Sequence, residues 1–397
     1  MFENLAALEP DPILGLMSAY RADPRTEKID LGVGVYRDET GATPIMAAVR
    51  DAEQRRFENE QTKSYIGPPG TEEFNVAVRT MIFGQQLGAV RDGRIAGVQT
   101  PGGCGALRVA AELIGRARKG ATVWVSTPTW ANHVPLLGDA GLQIREYPYY
   151  DKATSSLDAG AMLAALAKVP AGDFVLLHGC CHNPSGVDLQ MAHWEAIADL
   201  AVQRGFTPFI DFAYQGLGAG MEEDAAGLRV IAQACPETIV ASSYSKNFGL
   251  YRERVGALQI ISPNVEQSRI VQSQLGSVVR GIYSMPPAHG AAIVEIITND
   301  EALNAQWLEE LTTMRERING LRALLADRLS AETGRDFSFI REQRGMFSFL
   351  GITAAQVHQL RNEYSIYIVD SSRINVAGVN ESNIDYFVTA MGNILHA

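Results

Sequence analysis

Short apolar runs alternate with helical patterns from about residue 94 onward, and this alternation constrains the fold more than any other feature of the sequence. Each run is six to eight residues long and rich in β-branched residues, as buried strands are. Helical stretches separate most of the runs, which predicts a mostly parallel sheet covered by helices. The runs are GRIAGVQT, ATVWVS (121–126), LQIREYP, DFVLLH (173–178), TPFIDF (207–212) and ETIVASS (237–243).

The runs end in polar residues, and parallel strands bring their carboxyl ends to one edge of a sheet. In open α/β sheets, ligands bind at that edge. We therefore expect a functional site near the residues that end the runs, which are Thr100, Thr127, His178, Asp211 and Ser243.

The pattern changes after about residue 287, where a long helical stretch (301–330) is followed by shorter strand and helix signals. A chain of 397 residues is too long for one ordinary core and suits two domains. Residues 1–15, with prolines at 10 and 12, are predicted to form an extended arm. The expected division is 1–44 for this arm and part of a small domain, 45–312 for a large domain, and 313–397 for the rest of a small α+β domain.

Composition excludes several classes of protein. The net charge is −11 and the pI about 5.2, without a run of Lys or Arg, so nucleic acids and anionic membranes are poor partners. No stretch approaches 18 continuous apolar residues, which argues against a membrane span. The first residues lack the pattern of a signal peptide, so we expect a cytoplasmic protein.

The four cysteines do not have the spacing of a disulfide framework. A metal site at His178, Cys180, Cys181 and His182 is an alternative, but ligands one or two residues apart on an extended segment point in opposing directions. We therefore expect buried, inert cysteines and no metal site.

The strongest local signal for chemistry is the segment SSYSKNFGLYRERVG (242–256). It holds Lys246, the last of the six lysines in the chain, among small and aromatic residues. Desolvation of such a lysine favours its neutral form and therefore Schiff-base chemistry. Arg254 follows eight residues later and is within reach of an anion. An exposed lysine at a strand–loop junction is the alternative, and spacing alone leaves both open.

The same segment resembles the lysine-attachment pattern of class I pyridoxal-phosphate aminotransferases, and the whole chain resembles their aspartate and aromatic-amino-acid branch. This resemblance implies a fold-type I transferase, with a mostly parallel seven-stranded sheet between helices and a smaller α+β domain. Eight further motifs along the chain match the same family and occur in the same order as in that family. They are LGVGVYRDETGATP, TKSYIGPPG, STPTWANH, HNPSG, DFAYQG, VRGIYSMPP, RGMFS and SRINVAG.

The resemblance implies a role for each matching residue around pyridoxal 5′-phosphate. Lys246 holds the cofactor as a Schiff base and moves the substrate α-proton. Asp211 matches the aspartate that keeps the pyridine nitrogen protonated, so that the ring accepts electrons. Tyr214 and Asn183 match the residues that bond the phenolate oxygen. Without the resemblance, Asp211 would be read as a cap and Asn183, before a proline, as a turn residue.

The remaining cofactor contacts are implied in the same way. Trp130 matches the aromatic residue that stacks on the ring, and His133 matches a histidine that orients Asp211. A glycine-rich turn before a helix offers backbone N–H groups to the phosphate. The phosphate ligands are Gly102, Gly103, Cys104, Ser243, Arg254 and, from a neighbouring subunit, Tyr65.

Substrate recognition calls for cations that pair with carboxylates. Arg373 matches the arginine that clamps the substrate α-carboxylate through two parallel hydrogen bonds. Arg280 matches the arginine that reaches across a homodimer to the distal carboxylate of dicarboxylic substrates. Gly34 matches a close-approach glycine above the substrate, which Trp130 and Asn183 also border.

Three positions depart from the commonest aspartate-specific pattern. Ser64 and Met285 replace asparagines, and Cys104 replaces a Thr or Ser hydroxyl at the phosphate. These changes make the site less polar. We therefore expect ping-pong transamination of phenylalanine, tyrosine or tryptophan, aspartate, or both classes, with 2-oxoglutarate. A strictly aspartate-specific aminotransferase is the alternative.

Other classes of protein fit the sequence less well. A pyridoxal-phosphate lyase or decarboxylase shares the cofactor residues, but the presence of both Arg280 and Arg373 favours transamination. A nucleotide-binding dehydrogenase would need the G-x-G-x-x-G spacing, which the turn at 102–105 lacks. A cofactor-dependent regulator would carry a DNA-binding module, and the sequence contains no sign of one.

Overall fold

The computed structural model describes residues 1–7 and 12–396. Its strands are β1 Ile29–Asp30, β2 Ile95–Pro101, β3 Thr122–Thr127, β4 Gln143–Pro148, β5 Tyr150–Asp151, β6 Ser156–Leu157, β7 Phe174–His178, β8 Thr207–Phe212, β9 Thr238–Ser243, β10 Val255–Ile261, β11 Phe347–Phe349, β12 Ile366–Tyr367 and β13 Arg373–Asn375. Its α-helices are α1 Pro12–Ala22, α2 Ala47–Asn59, α3 Glu72–Phe83, α4 Gly88–Arg91, α5 Gly102–Ala117, α6 His133–Gly138, α7 Ala159–Leu166, α8 Met191–Arg204, α9 Met221–Ala234, α10 Val265–Ile282, α11 Ala288–Asn299, α12 Glu301–Thr333, α13 Phe339–Glu342, α14 Ala354–Tyr364 and α15 Ile384–His396.

The chain divides into two compact units. The smaller unit comprises Met1–Thr43 and Arg317–Ala397, and the larger unit comprises Pro44–Glu316. The change from one unit to the other falls within the long helix α12. No helix among the described residues is long and apolar enough to cross a membrane.

A seven-stranded sheet organises the larger unit. Its strand order is β2-β10-β9-β8-β7-β3-β4. The strand β10 pairs antiparallel with β2 and β9, and the other pairs are parallel. The predicted fold class, with a mostly parallel seven-stranded sheet between helices, is therefore confirmed. The strand β10 was not among the apolar runs recognised in the sequence, although all seven of its residues are buried. Because β10 is antiparallel to β9, a short connection can join the two strands.

The sheet aligns the carboxyl ends of its central strands, which is where the polar residues were expected. In the register of β7 and β8, His178 lies opposite Asp211, and Ser243 ends the adjacent strand β9. One face of the sheet packs on α5 and α10. The buried residues of α5 include Ala106, Leu107, Ala110, Ala111 and Ile114, which follow the three- and four-residue spacing of an amphipathic helix, and Val109 beside them.

The smaller unit mixes short strands with helices around its own apolar core. The strand β1 pairs in parallel with β12, and β11 pairs antiparallel with β13. Arg322 is buried in this unit and donates to the carbonyl oxygens of Ile340 and Gly345, so its charge is solvated by backbone dipoles.

The predicted extended arm over residues 1–15 is wrong from residue 12 onward, because α1 begins at Pro12. Proline suits the first turn of a helix, where its missing N–H would have had no partner. Residues 8–11 lie outside the described part of the chain, and a short 3-10 turn spans Phe2–Asn4.

Candidate active site

Lys246 lies in the connection between β9 and β10, at the carboxyl end of the sheet. Its Nζ atom lies 4.8 Å from the centre of the Tyr214 ring. Burial lowers the pKa of the Lys246 amine, and the nearby Arg254 adds to this effect, while Asp211 and Cys104 oppose it. The side chain therefore has the lowered basicity expected of a lysine that acts as a nucleophile or forms a Schiff base.

Asp211 lies near the end of β8 and bonds a buried histidine. Its Oδ2 atom is 3.0 Å from Nε2 of His133. Burial alone would raise the pKa of the Asp211 carboxyl. The hydrogen bond from His133, with the nearby Lys246 amine, outweighs burial and holds the pKa of this carboxyl below its usual value. Asp211 is therefore ionised, and its hydrogen bond to His133 orients the carboxylate.

The Asp211–His133 pair continues into a chain of hydrogen bonds. Thr129 Oγ1 is 2.8 Å from His133 Nδ1 and 3.1 Å from His178 Nε2. Because a carboxylate only accepts, His133 Nε2 must donate to Asp211, so in the neutral imidazole Nδ1 accepts from the Thr129 hydroxyl. The threonine oxygen can then accept from His178. Burial, with the neighbouring His133, lowers the pKa of His178 to about 3, which keeps His178 neutral.

Sequence reasoning assigned a role to His133 but missed Thr129 and His178 as its partners. The motif STPTWANH contains both Thr129 and His133, four residues apart, and this spacing was the available signal. The contact with His178 joins residues 49 positions apart and required the structure.

Tyr214 and Asn183, expected at the phenolate oxygen, lie together beside Lys246. The Asn183 amide nitrogen is 3.5 Å from the Tyr214 hydroxyl, and both side chains are buried. The pair offers a hydroxyl and an amide near the lysine amine, which lies over the Tyr214 ring.

The first turn of α5 and the β9–β10 connection form an anion cradle, which we define as Gly102, Gly103, Ser243 and Arg254. A Cβ atom on Gly102 would lie 2.7 Å from Arg254 Cζ, and one on Gly103 would lie 3.1 Å from Ser243 Cβ. Gly102 also has a φ of +73°, which favours glycine. The space that these glycines leave is bordered by a guanidinium, a hydroxyl and the amino end of a 16-residue helix.

Cys104 follows the two cradle glycines on α5, and Trp130 lies beside His133. Burial raises the pKa of the Cys104 thiol despite the nearby charges of Arg254 and Lys246, so the thiol stays protonated. The amide of Asn132 lies 4.0 Å from its sulfur. The Trp130 ring is 5.2 Å from the ring of His133 in an edge-to-face arrangement, and it packs against the apolar core of the large sheet.

Tyr65 and Arg280 lie at the surface rather than in the Lys246 cluster. Tyr65 is 92% exposed. With Ser64 and Met285 it lines a cavity of about 830 Å³ in the larger unit. Arg280 lies in the last turn of α10 and donates to the hydroxyl of Ser284.

Arg373 and Gly34 belong to the smaller unit, and both lie against the ring of Phe347. The Arg373 guanidinium carbon is 4.4 Å from the centre of the Phe347 ring, and Nη2 donates to the Gly32 carbonyl at 2.6 Å. A Cβ atom on Gly34 would lie 2.7 Å from Phe347 Cζ, which explains the need for glycine there. Sequence reasoning missed Phe347, although it lies within the motif RGMFS.

The four residues considered for a metal are not gathered into one cluster. His178 and His182 bond hydroxyl groups, whereas Cys180 and Cys181 lie with Asp224, with their potential ligand atoms within 4.8 Å of one another. The expectation that adjacent ligands point apart is wrong for the two cysteines. Cys181 has a φ of +51°, which turns the chain at this point.

Asp224 already has a structural role in that cluster. Its carboxylate accepts backbone N–H groups from Gly216, Gly218 and Ala219 at 2.8 to 2.9 Å. Burial raises the pKa of Cys180 well above its usual value, so this thiol remains protonated and inert.

Comparison with known proteins identifies the family. Residues 26–391 match the family described as aminotransferase class I and II. The chain belongs to this aminotransferase family. It is 50% identical to an aspartate aminotransferase of Salmonella typhi, over 97% of each chain. It is 45% identical to an aromatic-amino-acid aminotransferase of Pseudomonas aeruginosa, over 99% of this chain and 98% of the relative.

A solved structure gives the same result for the fold. An aromatic-amino-acid aminotransferase of Burkholderia pseudomallei, covalently bound to pyridoxal phosphate, superposes with a TM-score of 0.97 at 43% identity and covers 100% of this chain and 99% of its own. The predicted resemblance and the predicted enzyme class, an aminotransferase, are confirmed.

Proposed function

We propose that this aminotransferase uses pyridoxal 5′-phosphate to transfer amino groups between 2-oxoglutarate and both dicarboxylic and aromatic amino acids. The observation that carries the proposal is the grouping of Lys246, Tyr214 and the Asp211–His133 pair at one end of the large sheet. A strictly aspartate-specific enzyme is the alternative.

The residues of the larger unit fit this cofactor. The anion cradle suits a phosphate, because its glycines leave room where Cβ atoms would collide with Arg254 and Ser243. Lys246 would hold the aldehyde carbon, Asp211 the ring nitrogen, and Tyr214 with Asn183 the phenolate oxygen. Gly102, Gly103 and Cys104 would meet the phosphate, and Trp130 the ring face. When bound, the cofactor supplies an electron sink for the substrate α-carbon.

Lys246 moves the proton in the proposed reaction. Its amine takes the proton from the substrate α-carbon and returns it later, so it must be neutral when it acts as a base. Burial, which lowers its pKa, favours this neutral form at a lower pH than a solvated lysine would allow. Asp211 stays ionised because His133 donates to it.

Substrates are recognised through their carboxylates and through the polarity of the site. Arg373 pairs with the α-carboxylate and Arg280 with the distal carboxylate of dicarboxylic substrates. Ser64, Cys104 and Met285 carry less polarity than the residues they replace, which favours aromatic side chains. Relatives named for aspartate and for aromatic amino acids are similar to this chain to comparable degrees, which supports both classes.

We also propose a homodimer in which Tyr65 and Arg280 serve the neighbouring subunit. The support is the exposure of Tyr65 and the surface position of Arg280, since neither joins the Lys246 cluster of its own chain. The two compact units are proposed to be the small and large domains. The cytoplasmic location stays a prediction from the sequence.

The test compares wild type with Lys246→Ala. With 2-oxoglutarate as acceptor, wild type is expected to transaminate aspartate, phenylalanine and tyrosine. Lys246→Ala should lower kcat by at least about 10³-fold, since it removes both the base and the cofactor attachment. Lys119→Ala, an exposed lysine, serves as the control. Normal turnover by Lys246→Ala would refute the mechanism, and turnover of aspartate alone by wild type would leave the aspartate-specific alternative.

A further inference from the structure

We infer that Asn375 is a positioning residue for substrate carboxylate binding, because it fastens the backbone segment that supports Arg373. This segment is Gly32–Val35, which we call the glycine segment. The inference rests on the proposed role of Arg373 and assigns a role to a residue that the sequence did not single out.

Asn375 is bonded through both polar atoms of its side-chain amide and through its backbone N–H. Its Nδ2 donates to the carbonyl oxygens of Val33 and Val35 at 2.6 and 2.7 Å, and its Oδ1 accepts from the Ala377 N–H at 3.0 Å. Its backbone N–H donates to the Leu31 carbonyl at 2.7 Å. The side chain is only 1% exposed, so water does not compete for these bonds.

The register of the small sheets explains why Asn375 and Arg373 act on the same segment. They lie two residues apart on β13, so their side chains leave the same face of the strand. Arg373 donates to the Gly32 carbonyl, immediately before the two carbonyls that Asn375 holds. In the register of β11 and β13, Phe347 lies opposite Asn375, and its ring lies under the Arg373 guanidinium.

The glycine segment has few other means of keeping this shape. Its N–H and C=O groups do not form a regular strand ladder, and Val35 N–H turns back to the Val33 carbonyl at 3.0 Å. Two carbonyls that converge on one amide need a donor with two N–H groups, which asparagine supplies and aspartate or serine does not. Without Asn375, the segment and the carbonyl that orients Arg373 are expected to shift, which would misplace the guanidinium.

The decisive variants are Asn375→Asp and Asn375→Ser. Aspartate keeps the size and the acceptor for Ala377 but places a carboxylate against two carbonyl oxygens. Serine removes the amide without adding a charge, so it separates loss of the two donated bonds from an ion pair with Arg373. Asn383→Asp is the matched control, because Asn383 donates to the Gly378 carbonyl in the same unit and not to a carbonyl of the glycine segment.

The cofactor-loaded variants should be compared by steady-state kinetics and by calorimetric titration with succinate, a dicarboxylate that has no amino group to transfer. Both Asn375 variants are expected to raise KM for aspartate and the dissociation constant of succinate by about tenfold, with kcat within about twofold of wild type. Asn383→Asp should leave all three within about twofold.

Several results would overturn the inference. Unchanged succinate binding in both folded Asn375 variants would do so, as would equal effects of Asn383→Asp. So would a loss of kcat with unchanged KM. If wild type bound succinate but transferred no amino group, the proposed function would fail, while the succinate titrations would still decide the role of Asn375.

Discussion

At the residue scale, the site depends on opposing effects on a few titratable groups. Burial lowers the pKa of Lys246, whereas His133 keeps the pKa of Asp211 low although burial acts to raise it. Lys246 is therefore shifted toward its neutral form and Asp211 toward its charged form. These are the protonation states that the proposed proton transfer requires.

The lowered pKa of Lys246 also predicts how stability depends on pH. When the folded-state pKa of a lysine lies below its unfolded value of about 10.4, ionisation of the lysine destabilises the fold. This penalty is full below the folded pKa, declines as pH rises from the folded pKa and is gone above the unfolded value. In the cofactor-free protein, Lys246→Met is therefore expected to raise the free energy of unfolding at pH 7, with a smaller gain at pH 10. Urea unfolding at the two pH values measures this. A gain that grows with pH would contradict the prediction.

Thr129 should contribute to stability through the two histidines that it bridges. Thr129→Val keeps the shape but leaves the bonding nitrogens of His133 and His178 without the hydroxyl. The expected loss is about 1–3 kcal/mol in the free energy of unfolding, measured by urea denaturation. Thr313→Val, on an exposed face of α12, should change stability by less than about 0.5 kcal/mol. Equal losses in the two variants would remove the bridge as the cause.

At the element scale, the amino end of α5 supplies the anion cradle and its interior supplies core packing. Both ends of the helix contain glycine, but the amino end needs it and Gly115 near the carboxyl end does not. Gly102 has a positive φ and faces Arg254, whereas a Cβ atom on Gly115 would meet nothing nearer than the Ala140 carbonyl at 3.9 Å.

The two glycines should therefore respond in opposite ways to alanine. Gly102→Ala is expected to weaken cofactor binding at least about tenfold, because Arg254 must move out of the cradle or the helix must shift. Gly115→Ala should leave cofactor binding unchanged and stabilise the protein by about 0.5–1 kcal/mol. Spectroscopic titration of the cofactor-free variants and thermal unfolding test the pair. Unaltered cofactor affinity in Gly102→Ala would argue against the cradle.

At the scale of the whole molecule, the proposed dimer makes each site depend on two chains. In this proposal Arg280 acts on the site of the neighbouring chain, while Lys246 acts within its own chain. Two variants that are each inactive toward aspartate should therefore complement one another when their chains are mixed.

The chosen pair is Lys246→Ala and Arg280→Ala. After joint refolding, about a quarter of the wild-type aspartate activity is expected, because half of the dimers are hybrids and each hybrid has one complete site. Phenylalanine transamination by Arg280→Ala alone serves as the control, since that substrate has no distal carboxylate. The mixture could instead remain as inactive toward aspartate as the separate variants. That result would mean that Arg280 does not serve the site of the neighbouring chain.

The sequence by itself determined the alternating strand runs, the lysine connection and the identity of the residues that carry charge, because these features are local in the chain. Apolar periodicity reports whether a segment is a buried strand, and the motif around Lys246 lies within fifteen residues. It could not reveal β10 as an antiparallel strand, the chain from His133 through Thr129 to His178, or the contact of Asn375 with a segment 342 positions away. These depend on strand order and register, through which only the tertiary structure brings distant residues within bonding distance.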